Sequence, residues 1–461
     1  MSLVGPKVVA AKAIGAAARR SGLGGGTSLP GKVLLKLDPQ AIATLAERLP
    51  KGSAVISATN GKTTTAAMTA SILGQAGVAL VHNRAGANMA SGVATTLVEA
   101  SHSRRRIDGE LGLFEVDEFW LDSIATALAP RAVLLSNLFR DQLDRYGELD
   151  TIADRWAAAV DKLPGASSLV LNADDPLIAD LGRERPNVTY FGVEDRSVAL
   201  PEMQHASDSK HCRRCGAAYR YQAIYLGHLG LYSCPNCGQQ RPAPSVSARD
   251  VKLNGTSSAA FRLDTTLGSR EIKLPLPGLY NVYNALGAAA LGLALGADLD
   301  QITAGLAAVA PAFGRAETVD AGGVELTLLL IKNPAGANEV LRTVALESGQ
   351  LDLLVILNDR IADGRDVSWI WDADFELLVS QIRAITCAGT RAAEIALRFK
   401  YAGLPAERIT VCPVLADALD HALADTTHNR LYVLPTYTAL LALRDELTDR
   451  GHVSHYWARR A

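Results

Sequence analysis

An α/β fold with a mainly parallel sheet, followed by a smaller second α/β unit, is what this sequence predicts, and three observations predict it. Short apolar runs alternate with helical segments along most of the 461 residues. The stretch "SATNGKT" joins one such run to a helix, as a ligand-binding turn of an open sheet does. Near residue 315 the stretch "AVAPAFGRAE", with Pro311 and Gly314, interrupts the alternation before it resumes. A chain of this length divides into roughly two or three domains. Its 48% hydrophobic and 20% charged residues describe a globular chain. The formal net charge of −2 gives no electrostatic reason for a nucleic-acid or membrane partner.

The elements follow in order. "MSLVGPKVVAAKAIGAAARRSGLGGG" is a basic, alanine-rich helix and lead-in, taken here as residues 1–45. Lys7, Lys12, Arg19 and Arg20 interrupt it, so it lacks the solid apolar centre of a signal peptide. No run of about 18 apolar residues occurs, so no membrane span is predicted and the expected location is cytoplasmic, with the basic helix resting on something acidic. The central domain is taken as residues 46–314. "SAVISATN" is a buried strand and "KTTTAAMTASILGQAG" a helix with Ile72 and Leu73 on its packing side. "ELGLFEVDEF", "RAVLLSNL" and "SSLVLNADD" are further strands, and "GLYNVYNALGAAALGLALG" is a helix of small residues. After the break, residues 315–461 form the second unit, with strands "VELTLLLIKNPAG", "LDLLVILNDR", "RAITCAG", "RITVCP" and "RLYVLP".

Four of the six cysteines form a pattern. "CRRC" and "CPNC" supply Cys212, Cys215, Cys234 and Cys237, and two C-x2-C knuckles at this separation are a zinc-ribbon signature. Four thiolates close a tetrahedral ion completely, so the expected role is structural. The ribbon is read as an insert at about residues 205–242. Between the knuckles "GAAYRYQAIYLGHLGLYS" has Arg220 as its only formal charge, which argues against a nucleic-acid-binding ribbon. Cys387 and Cys412 lie in apolar runs and read as core residues.

The loop after the first strand carries the chemistry. A P-loop reads G-x-x-x-x-G-K-[ST]; Gly61, Lys62 and Thr63 supply its second half, but Ile56 stands where its first glycine should be. In a strand–loop–helix setting, N–H groups at the helix start can cradle phosphate oxygens. Lys62 is then expected to reach the β/γ-phosphates and the Thr63 hydroxyl to bind Mg²⁺.

These residues resemble a family. Mur ligases and folylpolyglutamate synthases carry a T-G-T-N-G-K-T loop, which "SATNGKT" matches apart from Ser57 and Ala58, and that loop has no glycine where Ile56 stands. "FEVDE" resembles the family's strand with a magnesium-binding glutamate, here Glu115. "SNLFRDQLDRYG" resembles T-N-x-x-x-D-H-L-D through Asn137 and Asp141, with Gln142 in the histidine's place. "GLYNVYNALGAA" resembles the adenine-side helix through Asn281 and Asn284, with Tyr280 in the histidine's place, and "FGRAE" supplies a phosphate-contacting arginine, Arg315. The absence of a preceding UDP-sugar domain, the ribbon insert, and "NDRIADGRDVSWIWDADFE" make the chain similar to the MurT branch, the synthetase subunits of lipid II isoglutaminyl synthase.

That resemblance implies a Mur ligase-type ATPase domain and ATP-dependent amidation of the D-glutamate α-carboxylate of the lipid II stem peptide, through an acyl phosphate, at the inner face of the membrane. It implies ATP and Mg²⁺ held by Asn60, Gly61, Lys62, Thr63, Thr64, Glu115, Asn281, Asn284 and Arg315, and Zn²⁺ held by the four cysteines. Neither spare cysteine sits in a glutaminase elbow, so the ammonia is expected from a GatD-like glutaminase partner in a heterodimer. The branch is understood to lend that partner an acid from the D-G-R-D segment, here Asp366, with Asp363 in reserve. Two other readings compete: a free-standing amino-acid ligase of the folylpolyglutamate type, and a zinc-ribbon ATPase that binds nucleic acid.

Overall fold

The structure, a computed structural model, describes residues 4–20, 28–83, 87–102, 106–141, 149–205, 207–310 and 315–453. Three helices lead in: α1 (Val4–Arg20), α2 (Leu29–Leu37) and α3 (Ala41–Ala46). The central domain then carries β1 (Ser53–Ser57), helix α4 (Lys62–Gln75), β2 (Leu80–His82), β3 (Leu111–Glu115), β4 (Ala132–Leu135), β5 (Ser168–Asn172) and β6 (Val188–Val193). The ribbon contributes the hairpin β7 (Arg220–Leu226) and β8 (Leu229–Ser233). The sheet resumes with β9 (Val246–Asn254), β10 (Ser258–Thr265) and β11 (Gly268–Leu274), and the helix Leu279–Ala294 packs across it.

These strands form one nine-stranded sheet in the order β11-β10-β9-β6-β5-β4-β1-β3-β2. Every neighbouring pair from β9 to β2 is parallel, and β9, β10 and β11 form an antiparallel meander at one edge. Parallel strands need covering on both faces, and β1 shows how its sequence meets that need. All five residues of "SAVIS" are buried. Ala54 and Ile56 enter the core under the Leu279–Ala294 helix, whereas Val55 enters the opposite core. Val8, Ala11, Leu34, Ala41 and Leu45 of the three lead-in helices lie in that second core, so these helices pack on the central sheet itself.

The C-terminal domain holds β12 (Arg315–Ala321), β13 (Val324–Leu329), β14 (Leu351–Ile356), β15 (Ile382–Ala388), β16 (Ile409–Val411) and β17 (Arg430–Pro435) in the order β12-β13-β17-β14-β15-β16. Two sequence expectations are corrected here. The last residues of the stretch expected to link the domains, from Arg315 on, are a strand paired antiparallel with β13. The strand expected to run through "VELTLLLIKNPAG" stops at Leu329. Asn333 caps a new helix, Pro334–Val344, by accepting from the Gly336 N–H at 2.8 Å, and Pro334 takes the first helical position, where its missing N–H costs nothing. Residues 311–314 and Gln142 lie outside the described residues, as does the Arg315 side chain.

Candidate active site

The site lies beyond the carboxyl ends of β1, β3 and β4. The chain leaves β1 at Ser57 and turns through Gly61, whose φ of +87° is in the left-handed region. A Cβ there would also collide with the Asn284 Oδ1 atom, so both backbone and space require glycine. The loop is zipped to the end of β4. Asn60 N–H donates to Asn137 Oδ1 at 2.9 Å, Asn137 Nδ2 donates back to the Asn60 carbonyl at 3.0 Å, and Phe139 N–H donates to Thr59 Oγ1 at 3.1 Å. From the other side Thr65 donates to Asn284 Oδ1 at 3.2 Å, and Asn284 donates to Asn281 Oδ1 at 3.0 Å. Asn281 and Asn284 are thus buried, braced against the start of α4. Thr64 is buried beside them.

Lys62 is buried, and its ammonium donates to the Ala58 carbonyl, to Thr59 O at 3.3 Å and to Glu118 Oε2 at 2.8 Å. Burial alone would lower its pKa, but Glu118, with Asp117 and Glu115 behind it, outweighs that and raises it. Burial pushes the Glu118 carboxyl up, and the facing Lys62 and Lys332 bring it below its ordinary range. Lys62 is therefore a fixed cation and Glu118 a fixed anion. Glu115, at the end of β3, accepts from Thr63 Oγ1 at 3.1 Å, and the Asn88 amide approaches it at 3.5 Å. Asn83 holds the Glu115 backbone at both its N–H and its carbonyl. A hydroxyl and a carboxylate side by side are hard oxygen donors suited to Mg²⁺.

The C-terminal domain closes over this loop. Asn333 and Asn60 exchange amide hydrogen bonds at 3.0 and 3.3 Å, and Lys332 Nζ pairs with Asp141 at 2.6 Å and reaches Thr59 O at 3.4 Å. A cleft of about 110 Å³ opens there, lined by Arg140, Asp141, Lys332, Asp363, Asp366 and Asp372 among others.

The four aspartates of the loop after β14 are not equivalent. Asp359 is held by Arg391 and Thr390, both at 2.8 Å. Asp372 faces Arg140 at 3.4 Å. Asp363 is buried, accepting from the Thr438 N–H at 2.7 Å and from the Thr438 hydroxyl. Asp366 is exposed and turns back on its own loop, to Ser368, which holds its carboxyl below the usual range.

The four ribbon thiols lie within 4.8 Å of one another. Cys212 and Cys237 are 3.5 Å apart, and Cys215 and Cys234 are 3.4 Å apart. A disulfide needs about 2.05 Å, whereas thiolates about 2.3 Å from one tetrahedral ion lie just under 4 Å from each other. The set fits zinc. The rest of the insert reaches the site: Asp208 accepts from the Arg140 N–H at 2.9 Å and pairs with its guanidinium. His228, fully buried, packs at a tilt of 52° against Phe139, 4.8 Å between ring centres, and lies 3.4 Å from Asp175. Cys387 is buried and its thiol pushed up to about 12 by burial, as expected of a core residue.

Sequence reasoning missed Glu118, Lys332 and Asn333. Glu118 lies three residues beyond Glu115, and the Asn-Pro pair after an apolar run was a legible helix start that would have placed Lys332 at a strand end.

A strand–loop–helix turn with a second α/β domain against it is also found in known proteins. The Mur ligase middle domain model matches residues 56–237 and the MurT ligase C-terminal model residues 330–440. The pseudomurein peptide ligase type C of Methanothermus fervidus superposes with a TM-score of 0.69 at 24% identity, covering 88% of this chain and 80% of that one. The MurF ligase of Thermotoga maritima, solved in complex with ADP, gives 0.63 at 13% identity, covering 90% and 84%. In sequence, subunit MurT of the glutamine-hydrolyzing lipid II isoglutaminyl synthase of Streptococcus pneumoniae is 36% identical over 93% of this chain and 94% of its own. The chain belongs to the MurT family of Mur ligase-like synthetase subunits.

Proposed function

We propose that this chain is the ATP-dependent synthetase subunit that converts the D-glutamate α-carboxylate of the lipid II stem peptide to the amide, with ammonia from a glutaminase subunit. The observation that carries the reading is the buried Lys62–Glu118 pair beside Thr63 and Glu115, in a chain aligned over nearly its full length with a lipid II isoglutaminyl synthase subunit. A carboxylate is a poor acyl donor. In the proposed reaction its oxygen attacks the γ-phosphorus of ATP and ADP leaves. Ammonia then attacks the acyl carbon, and the phosphate leaves with the bond pair.

Lys62 supplies positive charge at the transferring phosphoryl group, and Asn60 and Gly61 supply the backbone that cradles it. Lys332 brings a second cation to the same place from the other domain. Thr63 and Glu115 would hold Mg²⁺, which when bound offsets charge on the phosphate oxygens. Cys212, Cys215, Cys234 and Cys237 would hold Zn²⁺ as a structural ion. Asp366 is the acid proposed to orient the partner's catalytic histidine, because it is the exposed one of the four and takes its hydrogen bonds from its own loop. The fixed roles of Asp363 towards Thr438 make it the weaker choice.

The test is incubation of lipid II with ATP, Mg²⁺ and glutamine, with the chain alone and with its co-purified glutaminase. Mass spectrometry should show carboxylate-to-carboxamide conversion only in the complex. Addition of an amino acid by the chain alone would instead establish the free-standing ligase.

A further inference from the structure

Among the described side chains of α1, none of those facing outward is polar. Its exposed positions are Pro6, Val9, Ala10, Ala13, Ile14 and Ala17, and Val9 and Ile14 are 52% and 41% exposed. The spacing places them on one stripe of the helix. Its lysines are turned to the protein: Lys7 pairs with Asp38 at 3.1 Å, and Lys12 donates to the Ser101 and Glu99 carbonyls at 2.6 and 3.1 Å. Val8 and Ala11 fill the core below. A surface helix ordinarily shows water its charged side, and α1 does the reverse.

Helix α2 runs antiparallel beside it. Lys7 lies at Asp38, and Gly15 lies so close to Pro30 that a Cβ would collide with the ring. On α2, Leu29, Lys32, Lys36 and Leu37 are exposed and, at helical spacing, share one side. The first 37 residues hold four lysines and two arginines and no acid, in a chain whose net charge is −2. The remainder of the molecule therefore carries a net negative charge.

We propose that α1 and α2 form a docking face for an anionic lipid bilayer, with Val9 and Ile14 entering the headgroup boundary and Lys32 and Lys36 meeting lipid phosphates. Charge selects this occupant. A second copy would oppose like charges, whereas an anionic bilayer offers apolar depth and negative charge together. No helix among the described residues is long and apolar enough to cross a membrane, so the contact is peripheral. The proposal rests on the reading that the substrate is lipid-linked, and names the surface that brings the enzyme to it.

Flotation of the full-length complex with vesicles tests it without substrate or ATP, so its outcome is independent of the amidation assay. Vesicles of equal phosphatidylglycerol and phosphatidylcholine should carry the wild-type complex, and phosphatidylcholine alone should not. Adding salt should release it. Val9→Asp/Ile14→Asp and, separately, Lys32→Glu/Lys36→Glu should each weaken vesicle binding by about tenfold or more. Both should amidate detergent-dispersed lipid II as the wild type does. The lysine pair is exposed on α2, so it decides the matter if the α1 variant does not fold. Equal binding to both vesicle types, unchanged binding by the lysine variant, or a solution dimer lost on substitution of Val9 and Ile14 would each overturn the proposal.

Discussion

Two loops, each following a central strand of a mainly parallel sheet, are built in opposite ways. In the phosphate loop almost every group is spent inside the chain: Lys62 on Glu118 and two carbonyls, Asn60 on Asn137 and Asn333, Thr63 on Glu115. The loop after β14 secures Asp359, Asp363 and Asp372 to distant partners but leaves Asp366 exposed. A loop that must stabilise developing charge gains from fixed, dry, oriented groups. In the proposed function Asp366 completes a site on the glutaminase, a role that suits an exposed carboxylate on an anchored loop.

Breaking the phosphate side should have the largest effect. Lys62→Ala leaves the Glu118 carboxylate buried without its partner, which destabilises the fold by about 3–5 kcal/mol. The double change Lys62→Ala/Glu118→Gln removes that stranded charge. It should fold, and should still lose at least about 10²–10³ in amidation rate with either glutamine or ammonium. Near-normal turnover would remove Lys62 from the chemistry.

A smaller effect should come from the ribbon insert, which meets the cleft-lining Arg140 through Asp208. Metal analysis should find one zinc per chain, and Cys234→Ser should lose it, lower the melting temperature by several degrees and raise hydrogen exchange in the ribbon strands. Turnover should fall about tenfold, less than for Lys62. Full zinc-free stability would contradict a structural metal. The smallest effect belongs to Asp363→Asn, which weakens the bonds to Thr438 and should cost about 1–3 kcal/mol of stability.

What could be read from sequence was local. "SAVISATNGKT" carries strand, turn and helix start within a dozen residues, and each C-x2-C knuckle is a single turn, so loop and thiol cluster were both legible. Pairings across the chain were not. Asn60 meets Asn333 at a separation of 273 residues and Lys332 meets Asp141 at 191, and no periodicity encodes such contacts. The strand from Arg315 was missed because Pro311 and Gly314 read as the end of structure, when they only precede an edge strand. The four aspartates look alike in "NDRIADGRDVSWIWD"; only the fold tells Asp363, under Thr438, from Asp366, in solvent.

The most direct test of this division of labour is to measure lipid II amidation by the Asp366→Asn complex with glutamine and then with high ammonium, beside Asp363→Asn. An exposed acid that serves the partner predicts that Asp366→Asn loses glutamine-supported amidation by at least about 10²-fold, while keeping complex formation and ammonium-supported amidation near wild type. Asp363→Asn should change both activities together. Retained glutamine hydrolysis in Asp366→Asn, or equal loss with both nitrogen sources, would contradict it.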